Sequence, residues 1–221
     1  MRYQRQETIP AVKRDYVEWH RSRPKYGLWL IELVTEELFQ KVDAARVHLS
    51  DFLLTPYYRQ PHISIYICGF LAKTVSFDDD YSIELFHIQA ELLKNAGIEP
   101  FVIEVGGLNS FASAPFLEVQ DLEDGMARVR AVLSTTAKEI GRNSFTPHVT
   151  VGLYSQAFQS RVVAEKILTF QSNPVRLTIN VLTFATYEAR EIAGALTREH
   201  CVALLPEKTT GPADLRITIR E

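Results

Sequence analysis

One stretch of the sequence carries two side chains with the chemistry of a catalytic site. In Phe145–Gly152, β-branched residues follow Pro147, a pattern typical of a short, half-buried strand. Residues two apart on a strand point to the same side, so His148 and Thr150 should share one face. An imidazole and a hydroxyl placed together can transfer a proton and hydrogen-bond an anion.

The same arrangement occurs earlier in the chain. Pro61–Ile65 repeats Pro147–Val151 in residue type at every position, so His62 and Ser64 should also share a strand face. A single His-x-Thr would most often be a half-buried core histidine. An internal repeat is a much stronger indication of function.

Two such pairs facing across a cleft would suit attack on a phosphodiester. One neutral imidazole can act as base and one imidazolium as acid near neutral pH. The hydroxyls of Ser64 and Thr150 can bind the non-bridging phosphate oxygens. This chemistry needs no metal and no cofactor, and we expect none. A zinc site made from His62 and His148 would lack a third ligand at a suitable spacing.

These motifs resemble those of the two-histidine (2H) phosphoesterase superfamily. The similarity is greatest to its branch of 2′-5′ RNA ligase-like proteins and RNA 2′,3′-cyclic phosphodiesterases. It extends from about residue 26 to residue 205, and it includes Val105–Leu108, Phe111 and the strand Pro115–Val119. The resemblance implies a bilobal fold with pseudo-two-fold symmetry and metal-independent chemistry on 2′,3′-cyclic phosphates or 2′-5′ linkages.

The resemblance also implies roles for four residues. His62 and His148 would be the acid and the base, in an order that the sequence leaves open, and Ser64 and Thr150 would bind phosphate. One position departs from the family pattern. Several RNA ligase-like members have a basic residue five positions after the second histidine, where this chain has Leu153. That departure argues against a long RNA substrate and against ligation. Arg59, Arg142 or Lys25 could supply the positive charge in place of a basic residue at position 153.

Four aromatic side chains are candidates for stacking on a nucleobase. Strand alternation places Tyr66 and Tyr154 on the same faces as their respective histidines. Phe111 and Tyr187 lie next to predicted loops. Ordinary packing in the core is the alternative for each of the four.

The predicted elements indicate an α+β fold. Strands are both adjacent in sequence and separated by helices, which favours two pseudo-symmetric antiparallel sheets that face a central cleft with helices outside. We predict an N-terminal accessory helix in 1–24, spanning about 11–20, a bilobal domain in 25–205 and a tail or edge strand in 206–221. Predicted strands span 25–34, 62–70, 98–105, 116–119, 175–187 and 196–205, and the later predicted helices span 81–95, 123–140 and 157–170.

Three smaller features have local interpretations. The Gly106-Gly107 pair should form a turn between strands, because it lacks the Lys and Ser/Thr of a phosphate-binding loop. Asp78–Asp80 could bind a metal, but capping of the helix that follows is the better interpretation. Cys68 and Cys201 should be buried free thiols in a reducing compartment.

Composition limits the class of protein. The 221 residues carry a formal net charge of −3, which gives no electrostatic footprint for long duplex DNA. The polar N-terminus is unlike a secretory signal, and the most apolar run, Tyr26–Val34, is too short to span a bilayer. We therefore expect a cytoplasmic monomer, without membrane contact, that acts on a nucleotide or an RNA end.

The sequence supports one leading function and three alternatives. The leading one is a metal-independent phosphodiesterase that hydrolyses 2′,3′-cyclic phosphate or 2′-5′-linked nucleotide or RNA ends. A module that binds a nucleotide or RNA end without turnover, and a 2′-5′ RNA ligase, would use the same residues. A structural protein with incidental histidines is disfavoured by the repeated motif.

Overall fold

A computed structural model of the chain describes residues 5–141 and 144–204. The helices in chain order are α1 Val17–His20, α2 Glu36–His48, α3 Ile83–Asn95, α4 Gly125–Ser134 and α5 Ser160–Leu168. The strands are β1 Lys25–Glu32, β2 His62–Ala72, β3 Asp80–Ser82, β4 Phe101–Ser110, β5 Pro115–Asp121, β6 His148–Thr150, β7 Val175–Ile179, β8 Val181–Glu188 and β9 Thr197–Ala203.

The described strands form two sheets. One has the order β3-β2-β1-β8-β9 and the other the order β6-β5-β4-β7. Every pairing is antiparallel except that of β2 with the short β3. The α+β prediction of two antiparallel-rich sheets is confirmed.

A shared core holds the two sheets together. The largest cluster of buried side chains contains Trp29 and Ile63 from one sheet and Val105 and Val149 from the other. Burying each such side chain contributes roughly 1.5–3 kcal/mol. The two motif strands are therefore anchored on their inner faces by one continuous apolar layer.

The chain order differs from the simple division into halves. The predicted β-rich run 175–187 consists of two strands, since Asn180 carries the chain from the four-stranded sheet to the five-stranded sheet. The carbonyl of Asn180 accepts a hydrogen bond from the backbone nitrogen of Leu204, at 2.8 Å. The first sheet is thus completed by the C-terminal strands β8 and β9.

Several local predictions are wrong for identifiable reasons. Gly106-Gly107 is not a turn: β4 runs through it as an irregularity in its pairing with β5, and the hairpin turn comes later, where the Phe111 nitrogen bonds to the Ala114 oxygen. Helix α4 ends at Ser134, and the hydroxyls of Thr135 and Thr136 bond back to helix carbonyls.

The N-terminal helix is also much shorter than predicted. Within residues 5–24, here called the N-terminal strap, Val17–His20 is helical and most of the rest is irregular chain. The acidic tripeptide does not cap α3, because Ser82 does so by accepting from the Leu85 nitrogen. Asp79 and Asp80 instead pair with Arg23 at the end of the strap, with closest distances of 2.5 and 2.6 Å.

The remaining predictions have mixed outcomes. Cys68 is buried, but Cys201 is exposed, because it faces outward on the edge strand β9. The tail 206–221 lies outside the described residues. Within the part of the chain that is described, no helix is long and apolar enough to cross a membrane.

Candidate active site

The two motifs lie at the starts of β2 and β6, which contact each other between the sheets. β6 is the outermost strand of its sheet. β3 covers β2 only at Phe70–Ala72, at the end far from His62. Each histidine therefore begins a strand at the place where the two sheets meet.

Strand alternation fixes the direction of the motif side chains. The intervening residues are fully buried in the core, while Ser64 and Thr150 are partly accessible on the other face. Each histidine is 9% exposed. The fully buried set is Ile63, Ile65, Val149 and Val151. The predicted pairing of each histidine with its hydroxyl on one strand face agrees with this burial.

Both imidazoles are held by the same hydrogen bond. Nδ1 of His62 lies 2.8 Å from the carbonyl oxygen of Gln60, and Nδ1 of His148 lies 2.7 Å from that of Thr146. A carbonyl oxygen only accepts, so each Nδ1 carries the hydrogen. In the neutral ring, Nε2 is then the nitrogen that can accept a proton.

The environment favours the neutral form of His62. Burial lowers the pKa of His62 to about 4, and the positive charges of Arg59 and His148 act in the same direction, against the opposing effect of the Gln60 carbonyl. His62 is therefore neutral near pH 7. The influence of His148 on His62 also indicates that the two rings lie close enough to interact.

Aromatic rings form a wall beside His148. Phe111, in the β4–β5 hairpin turn, meets the His148 ring edge to face at 4.8 Å between centroids. It also stacks on Phe116, at 4.2 Å between centroids. The structure thus places Phe111 against one of the two motif histidines.

Tyr66 does not share the face of His62. Leu30 pairs with Ser64 while Trp29 pairs with Tyr66, so β2 contains an extra residue at Ile65. This bulge turns Tyr66 into the core, where it is 2% exposed and its hydroxyl donates to the Ala137 carbonyl. Alternation alone gave the wrong face.

Tyr154 is also a core residue. The strand β6 ends at Thr150, so alternation no longer governs position 154. Tyr154 is fully buried in a small cluster with Leu49 and Val163, and its hydroxyl bonds to Ser110 Oγ. Neither tyrosine offers a ring face to a substrate in this conformation.

Tyr187 lies in a different setting. It is partly accessible, and the guanidinium of Arg59 lies 4.0 Å from its ring centroid. Burial raises the pKa of Tyr187. Arg59 and Tyr187 line a cavity of about 420 Å³ together with Leu153, the position at which the sequence departs from several RNA ligase-like members.

Of the other cations suggested by the sequence, Lys25 is paired with Glu199 at 2.9 Å, on the surface of the five-stranded sheet. Arg142 lies outside the described residues. Arg59 is therefore the one of the three that the structure brings near a motif histidine, and its Nε donates to the carbonyl of Gly194 at 3.1 Å.

Sequence reasoning missed Arg46. From α2, its Nε donates to the carbonyl of Val151 at 3.0 Å, and its Nη2 donates to the carbonyl of Arg59 at 3.4 Å. One side chain therefore links the segment after the second motif to the segment before the first. Nothing in the local sequence distinguishes this arginine from others on amphipathic helices.

Two glutamates also escaped notice. Glu32 is the cross-strand neighbour of His62, and Glu118 is that of His148.

Among the described residues, no group of three or more His, Cys, Asp or Glu side chains is arranged to hold a metal ion.

Comparison with known proteins gives a consistent picture. The family model of the 2′-5′ RNA ligase superfamily matches residues 34–191, more than half of the chain. E. coli LigT, crystallised with 3′-AMP, is similar in structure with a TM-score of 0.54 and 15% identity, over 83% of this chain and 99% of LigT.

The protein TT0787 of Thermus thermophilus gives the same TM-score of 0.54 and 15% identity, over 82% of this chain and 99% of TT0787. Among curated protein sequences there is no match. At this identity the two structures establish the fold, and the family match rests on the sequence.

Proposed function

The chain belongs to the 2′-5′ RNA ligase superfamily, which comprises phosphoesterases and ligases, and we propose that it is a metal-independent phosphodiesterase. Its substrate would be a nucleotide or RNA end with a 2′,3′-cyclic phosphate or a 2′-5′ linkage. The observation that carries the proposal is the matched support of His62 and His148. The two residues begin β2 and β6, which contact each other. The Nδ1 atom of each ring is bound to the carbonyl oxygen two residues before it.

The proposed reaction uses the two histidines in different roles. Water attacks phosphorus, a new P–O bond forms, and the bond from phosphorus to the 2′ or 3′ ribose oxygen breaks. His62, neutral at pH 7, accepts the proton of water at Nε2. His148, as imidazolium, donates its proton to the departing ribose oxygen. Release of the product and a proton exchange with solvent restore both rings.

Ser64 and Thr150 would stabilise the charge that develops on phosphate. Each hydroxyl lies two residues after a histidine on the same strand face and is partly accessible. Donors directed at the non-bridging oxygens act most strongly where charge accumulates in the transition state. E. coli LigT has been crystallised with 3′-AMP and with ATP, which supports nucleotides as the ligand class to test.

Turnover assays with a matched substrate set test this proposal. We expect the purified protein to convert 2′,3′-cyclic AMP or a 2′-5′-linked diadenylate to monophosphate products at the same rate with and without EDTA. His62→Ala and His148→Ala should each abolish most of that turnover. Nucleotide binding without any product after long incubation would instead favour a binding module.

A further inference from the structure

The N-terminal strap connects the two lobes. At its start, the nitrogens of Ile9 and Ala11 donate to the carbonyls of Ala112 and Tyr154, at 2.7 and 2.8 Å. These acceptors belong to the lobe of the four-stranded sheet. The strap precedes residues 34–191, the part that matches the family model.

The end of the strap is attached to the other lobe. The ring of Trp19 packs against Tyr26 and Phe70 of the five-stranded sheet, with centroids 5.1 and 4.7 Å apart. Arg23 is 9% exposed and forms its ion pairs with Asp79 and Asp80 there. Hydrogen bonds at one end and buried packing at the other thus fix the strap across the junction of the sheets.

The 420 Å³ cavity lies beneath this strap. Its walls come from the strap and from both lobes, and its volume is within the range of about 300–1,000 Å³ typical of small-molecule sites. The strap contributes Ile9, Pro10, Ala11, Tyr16 and Trp19, and one lobe contributes Ser113 and Leu153. The other lobe contributes Arg59, Tyr187, Ala189, Glu191 and Ile192.

Two wall residues of the cavity are close in sequence to the motifs, although none of the four motif residues lines it. Arg59 precedes His62 by three residues and influences its charge, and Leu153 follows Thr150 by three residues. The Nη2 atom of Arg59 is buried and has no hydrogen-bond partner among the described residues. For its base to enter this cavity, a nucleotide with its phosphate at the histidines would pass Arg59.

The chemistry of the walls fits a flat aromatic group. Three of the lining side chains are aromatic, and most of the others are aliphatic. Trp19 is 37% exposed, so part of its ring remains accessible. Stacking of a nucleobase on such a ring contributes about 1–3 kcal/mol to the binding free energy. The three lining aromatic side chains are Tyr16, Trp19 and Tyr187.

We propose that this strap-built cavity binds the nucleobase of the substrate and makes the strap a determinant of specificity. The inference rests on the proposed function, because it assigns a place to the base of the same nucleotide. Residues outside the matched family region would then select the substrate, while the residues of the two motifs act on its phosphate.

Tryptophan fluorescence tests base binding directly. The chain has two tryptophans, and Trp29 is fully buried in the core, so a ligand in the cavity should quench only Trp19. Titration with adenosine 2′-monophosphate should give saturable quenching, whereas inorganic phosphate should give none. Trp19→Phe should remove the signal and leave Trp29 as the internal reference.

Two neighbouring strap residues supply a matched pair of variants. Ala11 lines the cavity, whereas Val12 is 52% exposed and does not line it. Ala11→Phe should fill the cavity and raise the KM for 2′,3′-cyclic AMP about tenfold, equivalent to the loss of one stacked base, with kcat little changed. Val12→Phe should match the wild type in both constants.

The outcomes separate this inference from the proposed function. Turnover with no Trp19 quenching and an unchanged KM in Ala11→Phe would overturn the cavity assignment and leave the phosphodiesterase intact. Quenching without turnover would support the cavity and contradict hydrolysis. His148→Ala should lose turnover and keep the quenching, and loss of quenching in that variant would place the base elsewhere.

Discussion

At the scale of single residues, the proposed mechanism requires two chemically identical side chains to carry different charges. His62 and His148 share one hydrogen-bonding pattern, which fixes the same tautomer in each ring. The pKa of His62 is lowered mainly by burial and further by Arg59 and His148. Proximity of two rings that both protonate disfavours the doubly charged state, so a base and an acid can coexist at one pH.

Removal of either imidazole should eliminate one proton transfer. We expect His62→Asn and His148→Asn each to lower kcat by roughly 10²–10⁴-fold, the usual contribution of general acid–base catalysis. Thermal unfolding should change little, because the bond from each Nδ1 to the carbonyl two residues before is local and joins no separate elements. A variant with a clearly lowered unfolding temperature and an unchanged kcat would indicate a core histidine instead.

The hydroxyls should matter less than the imidazoles. Ser64→Ala and Thr150→Ala each remove one donor to a charged oxygen, worth about 1.5–3 kcal/mol, so kcat/KM should fall roughly 10–100-fold. Ser134→Ala is a suitable control, since that exposed hydroxyl donates to the α4 carbonyl of Ala131. Equal effects in all three variants would exclude a specific phosphate contact.

The pH profile reports on His62. A base must be neutral, so kcat/KM should fall on the acid side as pH drops through about 4, the value of the pKa of His62 in the free protein. A bound phosphate anion favours the protonated ring, so the acid limb of kcat should lie at higher pH than that of kcat/KM. An acid limb of kcat/KM at the ordinary histidine value of about 6.5 would assign the base elsewhere.

At the scale of elements, the repeat of residue types predicted the motif strands well. The apolar residues that alternate with each histidine and its hydroxyl are buried, as the motif predicts. This prediction needed only the local alternation of a strand. Prediction failed where strand pairing intervened. The bulge at Ile65 arises from the register between β1 and β2, and no residue in β2 alone indicates that Tyr66 turns inward.

Longer-range features were similarly out of reach. The change of sheet at Asn180 depends on which strands pair in three dimensions. The start of the strap is not helical, because its backbone bonds to the lobe of the four-stranded sheet. Hydrophobic periodicity reports burial within one element and contains no information on such partners. Phe111 and Tyr187 were identified as candidates by position, and the structure places Phe111 against His148 and Tyr187 against Arg59.

Gly69 tests the geometry of β2 at the end opposite His62. Its φ is +116°, and an added Cβ would lie 2.4 Å from the carbonyl oxygen of Asp79. Gly69→Ala combines backbone strain with overpacking, and we expect a loss of about 3 kcal/mol in the free energy of unfolding. Gly107, also in an irregular strand, has no atom within 4 Å of the added Cβ.

Denaturant unfolding of both alanine variants provides the comparison. Gly107→Ala should stay close to the wild type, because nothing obstructs its side chain. Equal stability of Gly69→Ala and Gly107→Ala would mean that β2 and the loop before β3 are not held together as described.

At the scale of the whole molecule, function depends on the relative placement of two sheets. β2 and β6 belong to different sheets, and Arg46 bonds to the backbone beside each motif. The backbone of Leu54 adds another link, donating to the carbonyl of Leu153 at 2.8 Å. These polar contacts complement the shared core and set the distance between the histidines.

Arg46 should therefore act as a positioning residue. Arg46→Met keeps much of the side-chain volume but removes both links, and we expect kcat to fall roughly 10–100-fold, as expected when reacting groups are displaced by about 1 Å. The acid limb of the kcat/KM profile should stay near its wild-type pH. Arg161→Met, which removes an exposed ion pair on α5, should have no effect on kcat.

The most direct measurement is a crystal structure with adenosine 2′-monophosphate bound. The account predicts that Nε2 of His62 and Nε2 of His148 both lie within about 3.2 Å of oxygens of the same phosphate. The hydroxyls of Ser64 and Thr150 should bond to its remaining oxygens. A phosphate held by only one histidine, or bound away from both strands, would contradict the account.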